Sequence, residues 1–241
     1  MSLLSKWLNF LWNILFPPYC IQCGAEGNYL CPDCSSMIEI LEWQYCPFCP
    51  QPKMVQDGKT CQRCRKKYNL DGLFCATSYE NKLVKKIITY WKYEPYLARC
   101  LSDTLTSFII THLQLINKIH LSTEKETIWI PVPLDKKRLK WRGFHHTQEL
   151  TEKLANSLGG KVFLNILVKN KNTMPQAELS KEERIQNIKG AFSCLNPELI
   201  AHKKILLVDD IFTTGATMEE CAKTLKKAGA KEVWGVVIAR G

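Results

Sequence analysis

Four C-x2-C pairs crowd the first part of the chain: Cys20 with Cys23, Cys31 with Cys34, Cys46 with Cys49, and Cys61 with Cys64. No other feature restricts the fold as much. A C-x2-C turn points two thiolates at one ion, and two such turns complete a tetrahedral shell. Residues 19–70 show no apolar periodicity long enough to build a core, and metal–thiolate bonds can order such a segment. A disulfide scaffold is a poorer reading, because closely spaced pairs make weak long-range staples. Redox chemistry would suit a lone C-x2-C at a helix start. The eight thiols therefore predict two closed, structural zinc sites in a reducing cytoplasm. Sequential grouping is favoured over a cross-braced one, and neither shell leaves a position open for catalysis. Cys75, Cys100, Cys194 and Cys221 lie in apolar or helical stretches and read as buried free thiols.

Charge narrows the partners. Among 241 residues, 33 are Lys or Arg and 23 are Asp or Glu, a formal net charge of +10. Two zinc ions on eight thiolates bring this to about +6. The balance stays basic and favours phosphate-bearing partners, from nucleotides to nucleic acid. A hydrophobic content of 46% excludes disorder, and 12 Gly and 11 Pro exclude a collagen-like chain. The longest apolar stretch, residues 7–19, is interrupted by Asn9 and Asn13 and ends at Pro17-Pro18. A membrane span needs roughly 20 apolar residues, so none is expected. Residues 2–16 predict an amphipathic helix with Ser2, Lys6, Asn9 and Asn13 on its polar face. Packing against the protein's own body or a second copy is favoured. A signal peptide would need a small-residue cleavage site, and a membrane-surface helix more than one Lys.

From about residue 71 the pattern changes. Strands are expected over 73–79, 127–132, 162–168, 205–208 and 233–239, with helices over 82–91, 96–113, 146–158, 181–189 and 218–228. Such alternation predicts an α/β fold, a parallel sheet flanked by helices, with ligands at the C-terminal ends of the strands.

One segment carries the chemistry. Ile205-Leu206-Leu207-Val208 is an apolar strand that runs into Asp209-Asp210-Ile211-Phe212-Thr213-Thr214-Gly215-Ala216-Thr217 and then a helix. Adjacent carboxylates at a strand end can accept hydrogen bonds from two neighbouring sugar hydroxyls. The Thr-Thr-Gly-Ala-Thr turn offers successive amides, hydroxyls and a helix N-terminus to a phosphate. Gly215 allows the close backbone approach this needs. A diol on one side and a phosphate on the other describe a 5-phosphoribosyl group. No G-x4-G-K-[ST] occurs, which excludes a Walker-type site.

This segment resembles the diphosphoribosyl-binding signature of type I phosphoribosyltransferases, and the whole chain resembles the ComF family of phosphoribosyltransferase-like competence proteins. The matching features begin with Phe16-Pro17-Pro18-x-Cys20-x2-Cys23-Gly24, the later cysteine pairs, and Tyr79 followed by a basic helix to Lys92-Tyr93. They continue through Val132-Pro133-Leu134, Arg142-Gly143-Phe144, Arg184-x2-Asn187-x2-Gly190-Ala191-Phe192 and the 205–218 block. One departure is visible: many relatives carry Asn-Gln after Arg-Gly-Phe, where this chain has His145-His146-Thr147-Gln148.

The resemblance implies a type I phosphoribosyltransferase-like sheet over 71–241, a double zinc ribbon over 19–70 and the amphipathic helix over 1–18. It implies that Asp209 and Asp210 hold the ribose hydroxyls. Thr213, Thr214, Gly215, Ala216 and Thr217 would wrap the 5′-phosphate, and Val132, Pro133 and Leu134, with Asp135, would meet the pyrophosphate. Lys136, Lys137, Arg138, Lys140 and Arg142 would close over the site, with Arg142 beside the two aspartates as a catalytic candidate. Magnesium would accompany phosphoribosyl diphosphate, held mostly by ligand and water. The function implied is binding of phosphoribosyl diphosphate and of single-stranded DNA, and action in DNA uptake during natural transformation. Its partners would be a competence helicase or other DNA-uptake proteins. The place would be the cytoplasm, or the inner face of the membrane as a peripheral protein. An active phosphoribosyltransferase of nucleotide metabolism, releasing pyrophosphate, is the alternative, and no motif names its acceptor.

Three further readings concern side chains. Lys59, Arg63, Arg65, Lys66, Lys67 and Tyr68 crowd the last cysteine pair, and cations beside an aromatic suit a single strand. A solvated ribbon surface is the competing account. His145 and His146 are expected to cap a helix or face solvent. Arg184 and Lys92 are left open between facing the site and pairing with a carboxylate.

Overall fold

The computed structural model describes residues 17–119, 127–135, 139–140, 143–171, 173 and 180–241. The helix expected over 2–16 lies outside the described residues, as do Lys136, Lys137, Arg138 and Arg142.

Two short helices belong to the cysteine-rich part: α1 (Pro32–Ser36) and α2 (Gln62–Arg65). Then come β1 (Gly72–Ser78), α3 (Lys82–Tyr93), α4 (Pro95–Leu115), β2 (Thr127–Pro131), α5 (His146–Leu158), β3 (Lys161–Val162) and β4 (Leu167–Lys169). The chain ends with α6 (Lys181–Ile188), β5 (Phe192–Cys194), β6 (Lys204–Phe212), α7 (Ala216–Lys227) and β7 (Glu232–Arg240). Five strands form one parallel sheet in the order β1-β7-β6-β2-β3, and β4 pairs antiparallel with β5 in a separate hairpin.

The strands read as continuous apolar runs because both faces of the sheet are covered. Side chains alternate between two cores. Leu206, Val208, Trp234, Val236 and Trp129 join the cluster under α3, α4 and α5. Ile205, Leu207, Val233, Val237 and Ile130 join the cluster under α7 and the hairpin. Asn81 starts α3 by accepting from the Leu83 and Val84 amides, and Ser180 with Glu183 forms a capping box at α6.

Two expectations are corrected here. The apolar stretch 162–168 is not one strand: Val162 pairs with Trp129 of β2, whereas Leu167 pairs with Cys194 of β5. Cys100 is exposed and Cys194 half-buried, so only Cys75 and Cys221 of the four remaining cysteines are buried thiols.

The cysteine-rich part is stitched to this body. The Leu41 amide donates to the Ala76 carbonyl, and the Thr60 amide to that of Asp71. Between them His112 of α4 is fully buried, its Nδ1 donating to the Leu41 carbonyl at 2.5 Å while Gln44 donates to Nε2 at 2.9 Å. Burial holds this imidazole below its ordinary value, even though the Leu41 carbonyl favours the charged form. The unfolded chain therefore takes up the proton first, and stability falls as pH drops below about 6.5. Thermal melts between pH 7 and 5.5 should show an acid-side slope that His112→Gln reduces, by up to about 1.4 kcal/mol per pH unit. Equal slopes in the two proteins would mean that this histidine does not govern the linkage.

Candidate functional site

The eight cysteines gather into two groups of four, Cys20 with Cys23, Cys31 and Cys34, and Cys46 with Cys49, Cys61 and Cys64. The grouping is sequential. Four sulfurs about 2.3 Å from a zinc ion stand roughly 3.8 Å apart. Cys23 and Cys31 sulfurs are 3.6 Å apart, Cys49 and Cys61 3.6 Å, and Cys49 and Cys64 3.7 Å. Those spacings fit a zinc-sized ion and are too long for disulfides. Backbone amides of Cys31 and Cys61 lie 3.5 and 3.4 Å from the sulfurs of Cys20 and Cys46. Each group offers four protein sulfurs, so zinc held there would be structural.

The second centre follows from the sheet order. From β2 the chain moves outward to β3, and from β6 it moves the other way to β7, so the crevice between the C-terminal ends of β2 and β6 is a topological switch point. A cleft of about 860 Å³ opens there. Val132, Pro133, Leu134 and Asp135 after β2 line one side; Asp209, Asp210 and the whole Thr213–Thr217 turn line the other. Apart from Lys140, the described residues of the expected site thus share one cavity. The two carboxylates sit within β6 rather than beyond it, since pairing with β7 continues to Phe212 opposite Arg240.

The carboxylates are held differently. The Asp210 amide donates to Asp209 Oδ1 at 2.8 Å, and the Ile211 amide to Asp210 Oδ1 at 2.6 Å. Asp210 Oδ2 also meets Lys92 Nζ at 2.6 Å and His146 Nε2 at 3.2 Å. Burial works against charge on Asp210, but the Lys92 ammonium and then His146 outweigh it and hold the carboxyl well below the usual range. Asp210 therefore stays ionised at neutral pH.

The turn after β6 is shaped by Gly215, at φ +76°. Any Cβ there would fall 2.4 Å from the Phe212 ring. Thr214 Oγ1 accepts from the Ala216 amide at 3.3 Å, and Arg184 Nη1 approaches Thr213 Oγ1 at 3.4 Å. Arg184 and Lys92 both line the cleft. His145 behaves as a cap, its Nδ1 accepting from the Gln148 amide at 3.1 Å. His146 does not: it is 1% exposed, packs edge-on to Trp91 and reaches Asp210. Sequence reasoning missed this role, although the departure at positions 145–146 marked the place. Tyr79 and Tyr93 also line the cleft.

Among the basic residues by the last cysteine pair, Lys59, Arg63, Arg65, Lys66 and Lys67 are exposed. Tyr68 has one face covered by Phe48, with centroids 3.8 Å apart. Its stacking surface is half what the sequence suggested. No helix among the described residues is long and apolar enough to cross a membrane.

Known proteins resemble the chain in the same two parts. Residues 148–241 match the phosphoribosyl transferase domain family, and residues 11–65 match the double zinc ribbon domain family. Competence protein F of Haemophilus influenzae is 29% identical over 228 residues, covering 91% of this chain and 96% of its own. Competence protein ComFC of Streptococcus pneumoniae is 29% identical over 218 residues, covering 86% of each. The DNA utilization protein YhgH of Salmonella typhi is 27% identical over 218 residues, covering 85% of this chain and 95% of its own. With a parallel sheet whose C-terminal part matches the phosphoribosyl transferase domain family and two four-cysteine groups that match a double zinc ribbon, the chain is similar over most of its length to these competence and DNA utilization proteins.

Proposed function

We propose that this protein binds phosphoribosyl diphosphate with magnesium in the β2–β6 cleft, binds single-stranded DNA, and acts in DNA uptake during natural transformation. The observation that carries the first part is the meeting of Asp209, Asp210 and the Thr213–Thr217 turn in one cavity. Asp209 and Asp210 would take the ribose hydroxyls, the turn the 5′-phosphate, and the Val132–Leu134 backbone the pyrophosphate. Magnesium would neutralise part of the diphosphate charge. Arg142 and the other cations between 136 and 142 would stand over the leaving group.

The cleft is a poor seat for the end of a DNA strand. Deoxyribose lacks the 2′-hydroxyl, and within a strand the 3′-oxygen is esterified. A strand would therefore bring Asp209 and Asp210 neither of the two hydroxyls that a free ribose offers. The strand belongs on the basic surfaces outside the cleft. The relatives' names and the positive balance of the chain support this reading. A cytoplasmic site of action suits the reduced cysteine groups.

The two basic clusters provide the test. Replacing Lys59, Arg63, Arg65, Lys66 and Lys67 by Gln, or Lys136, Lys137, Arg138, Lys140 and Arg142 by Gln, should weaken binding to every single-stranded sequence alike. Each change should also flatten the salt dependence, because phosphate contacts carry no base information. Phosphoribosyl diphosphate with magnesium should compete with the loop cluster and leave the ribbon cluster untouched. Fluorescence anisotropy of short labelled strands reads both effects, and two variants indistinguishable from the parent would refute the DNA-binding half. Pyrophosphate release tied to an added nucleophile would favour the catalytic alternative.

A further inference from the structure

The second ribbon touches the phosphate turn. Phe48 lies between Cys46 and Cys49, stacked on Tyr68 and edge-on to Phe212 with centroids 6.0 Å apart. Phe212 is the last residue of β6. A Cβ on Gly215 would lie 2.4 Å from Phe212 and 3.0 Å from Phe48, so the bare backbone of the turn rests on these two rings. Arg240, at the end of β7, donates to the carbonyls of Cys46 and Pro47 at 3.3 and 3.2 Å and lies over the Phe212 ring. On the far side of the turn, Glu219 of α7 accepts from the backbone amides of Asn69 and Leu70, at 2.8 and 3.1 Å, just past Cys64. The second cysteine group is therefore fastened before, within and after the 213–217 turn. By contrast Ile21, Tyr29 and Leu30 of the first group pack against the core beneath α3, α4 and α5.

We propose that the second zinc ribbon is the support of the phosphate turn, so that zinc at Cys46, Cys49, Cys61 and Cys64 raises affinity for a phosphorylated ribose. Zinc at the first group leaves that affinity unchanged. This rests on the phosphoribosyl reading of the cleft. The physical reason is the thinness of the second ribbon. Its own buried cluster is Cys46, Cys61 and Cys64, with Phe48, Cys49, Val55 and Tyr68 only partly covered. Without metal–thiolate bonds nothing of comparable strength keeps Phe48 under Gly215. A turn that binds phosphate through successive amides loses affinity when it must be ordered on binding. Coupling between two binding sites is reciprocal, so a ligand in the turn must tighten zinc at the second group by the same factor.

The experiment uses the whole chain with ribose 5-phosphate as probe, which reports on the diol and phosphate contacts without the diphosphate. In equilibrium competition with a chromogenic chelator, saturating ribose 5-phosphate should tighten one of the two zinc ions about tenfold and leave the other unmoved. By calorimetry Phe48→Ala, with both zinc ions in place, should bind the probe about tenfold more weakly, and Phe48→Tyr should bind as the parent does. Two unmoved zinc affinities, or Phe48→Ala within twofold of the parent, would overturn the coupling while leaving the cleft reading intact. A parent chain that binds neither ribose 5-phosphate nor phosphoribosyl diphosphate would overturn the cleft reading and the coupling with it. The chelator arm needs no variant, so poor folding of Phe48→Ala does not spare the proposal.

Discussion

Asp209→Asn together with Asp210→Asn should lower affinity for phosphoribosyl diphosphate by more than tenfold in a calorimetric titration, because each charged hydrogen bond is worth about 1.5–3 kcal/mol. The two positions separate when changed singly. Asp209→Asn should lose affinity with little change in melting temperature. Asp210→Asn should lose both, since Lys92 and His146 would be left facing a neutral amide. Breaking a buried ion pair by removing one partner costs about 3–5 kcal/mol, and the slight exposure of these side chains places the cost at the low end. The pH dependence has a definite sign. With the folded carboxyl of Asp210 held below its ordinary 3.8, its stabilising contribution is complete at neutral pH and is lost only as pH falls below about 4. A double variant that binds the ligand as the parent does would show that β6 does not hold the ribose.

What the sequence disclosed was local, and what it hid was long-range. The C-x2-C spacing is enough to bring sulfurs together, and the apolar run feeding Asp209-Asp210 and the Thr-Thr-Gly turn is enough to build a strand, a loop and a helix start. The first foretold the paired cysteine groups and the second the junction of β6 and α7, while the alternation of strands and helices beyond residue 71 foretold the parallel sheet. The end of β6 was not legible, because carboxylates lower strand propensity while pairing of Ile211 with Ala239 and Phe212 with Arg240 extends the ladder regardless. Residues 162–168 misled for a related reason: an apolar run shows burial and cannot show that its two ends pair with different sheets. His146 is the sharpest case. Its neighbour His145 obeys the local rule and caps α5, whereas His146 turns inward to a carboxylate 64 residues away, a partnership with no signature in the intervening sequence. Phe48 is similar, an ordinary knuckle residue until the fold sets it beneath Gly215.

Purified, reduced protein should carry about two zinc ions per chain, because eight thiolates at four per ion fill two shells. Chelation should then cost the ribbons their order and spare the sheet. Structural zinc binds zinc-finger peptides with an apparent free energy of about 10–16 kcal/mol, far more than the few partly covered side chains around the second group could replace. The sheet has another source of stability: Trp91, Leu105, Trp129, Leu154 and Val236 on one face, and Ile205, Leu225 and Val237 on the other, all buried and all beyond residue 70. Chelator-treated protein should therefore keep most of its helical circular dichroism, while trypsin cuts rapidly between Lys59 and Lys67. Its melting temperature should still fall, because Cys20, Cys31, Cys34 and Ile38 contribute to the core under α3, α4 and α5. Less than one zinc per chain would sink the double-ribbon assignment. Complete loss of helical signal on chelation would show instead that the ribbons and the sheet fold as one cooperative unit, with metal bonds holding what the apolar cores alone cannot.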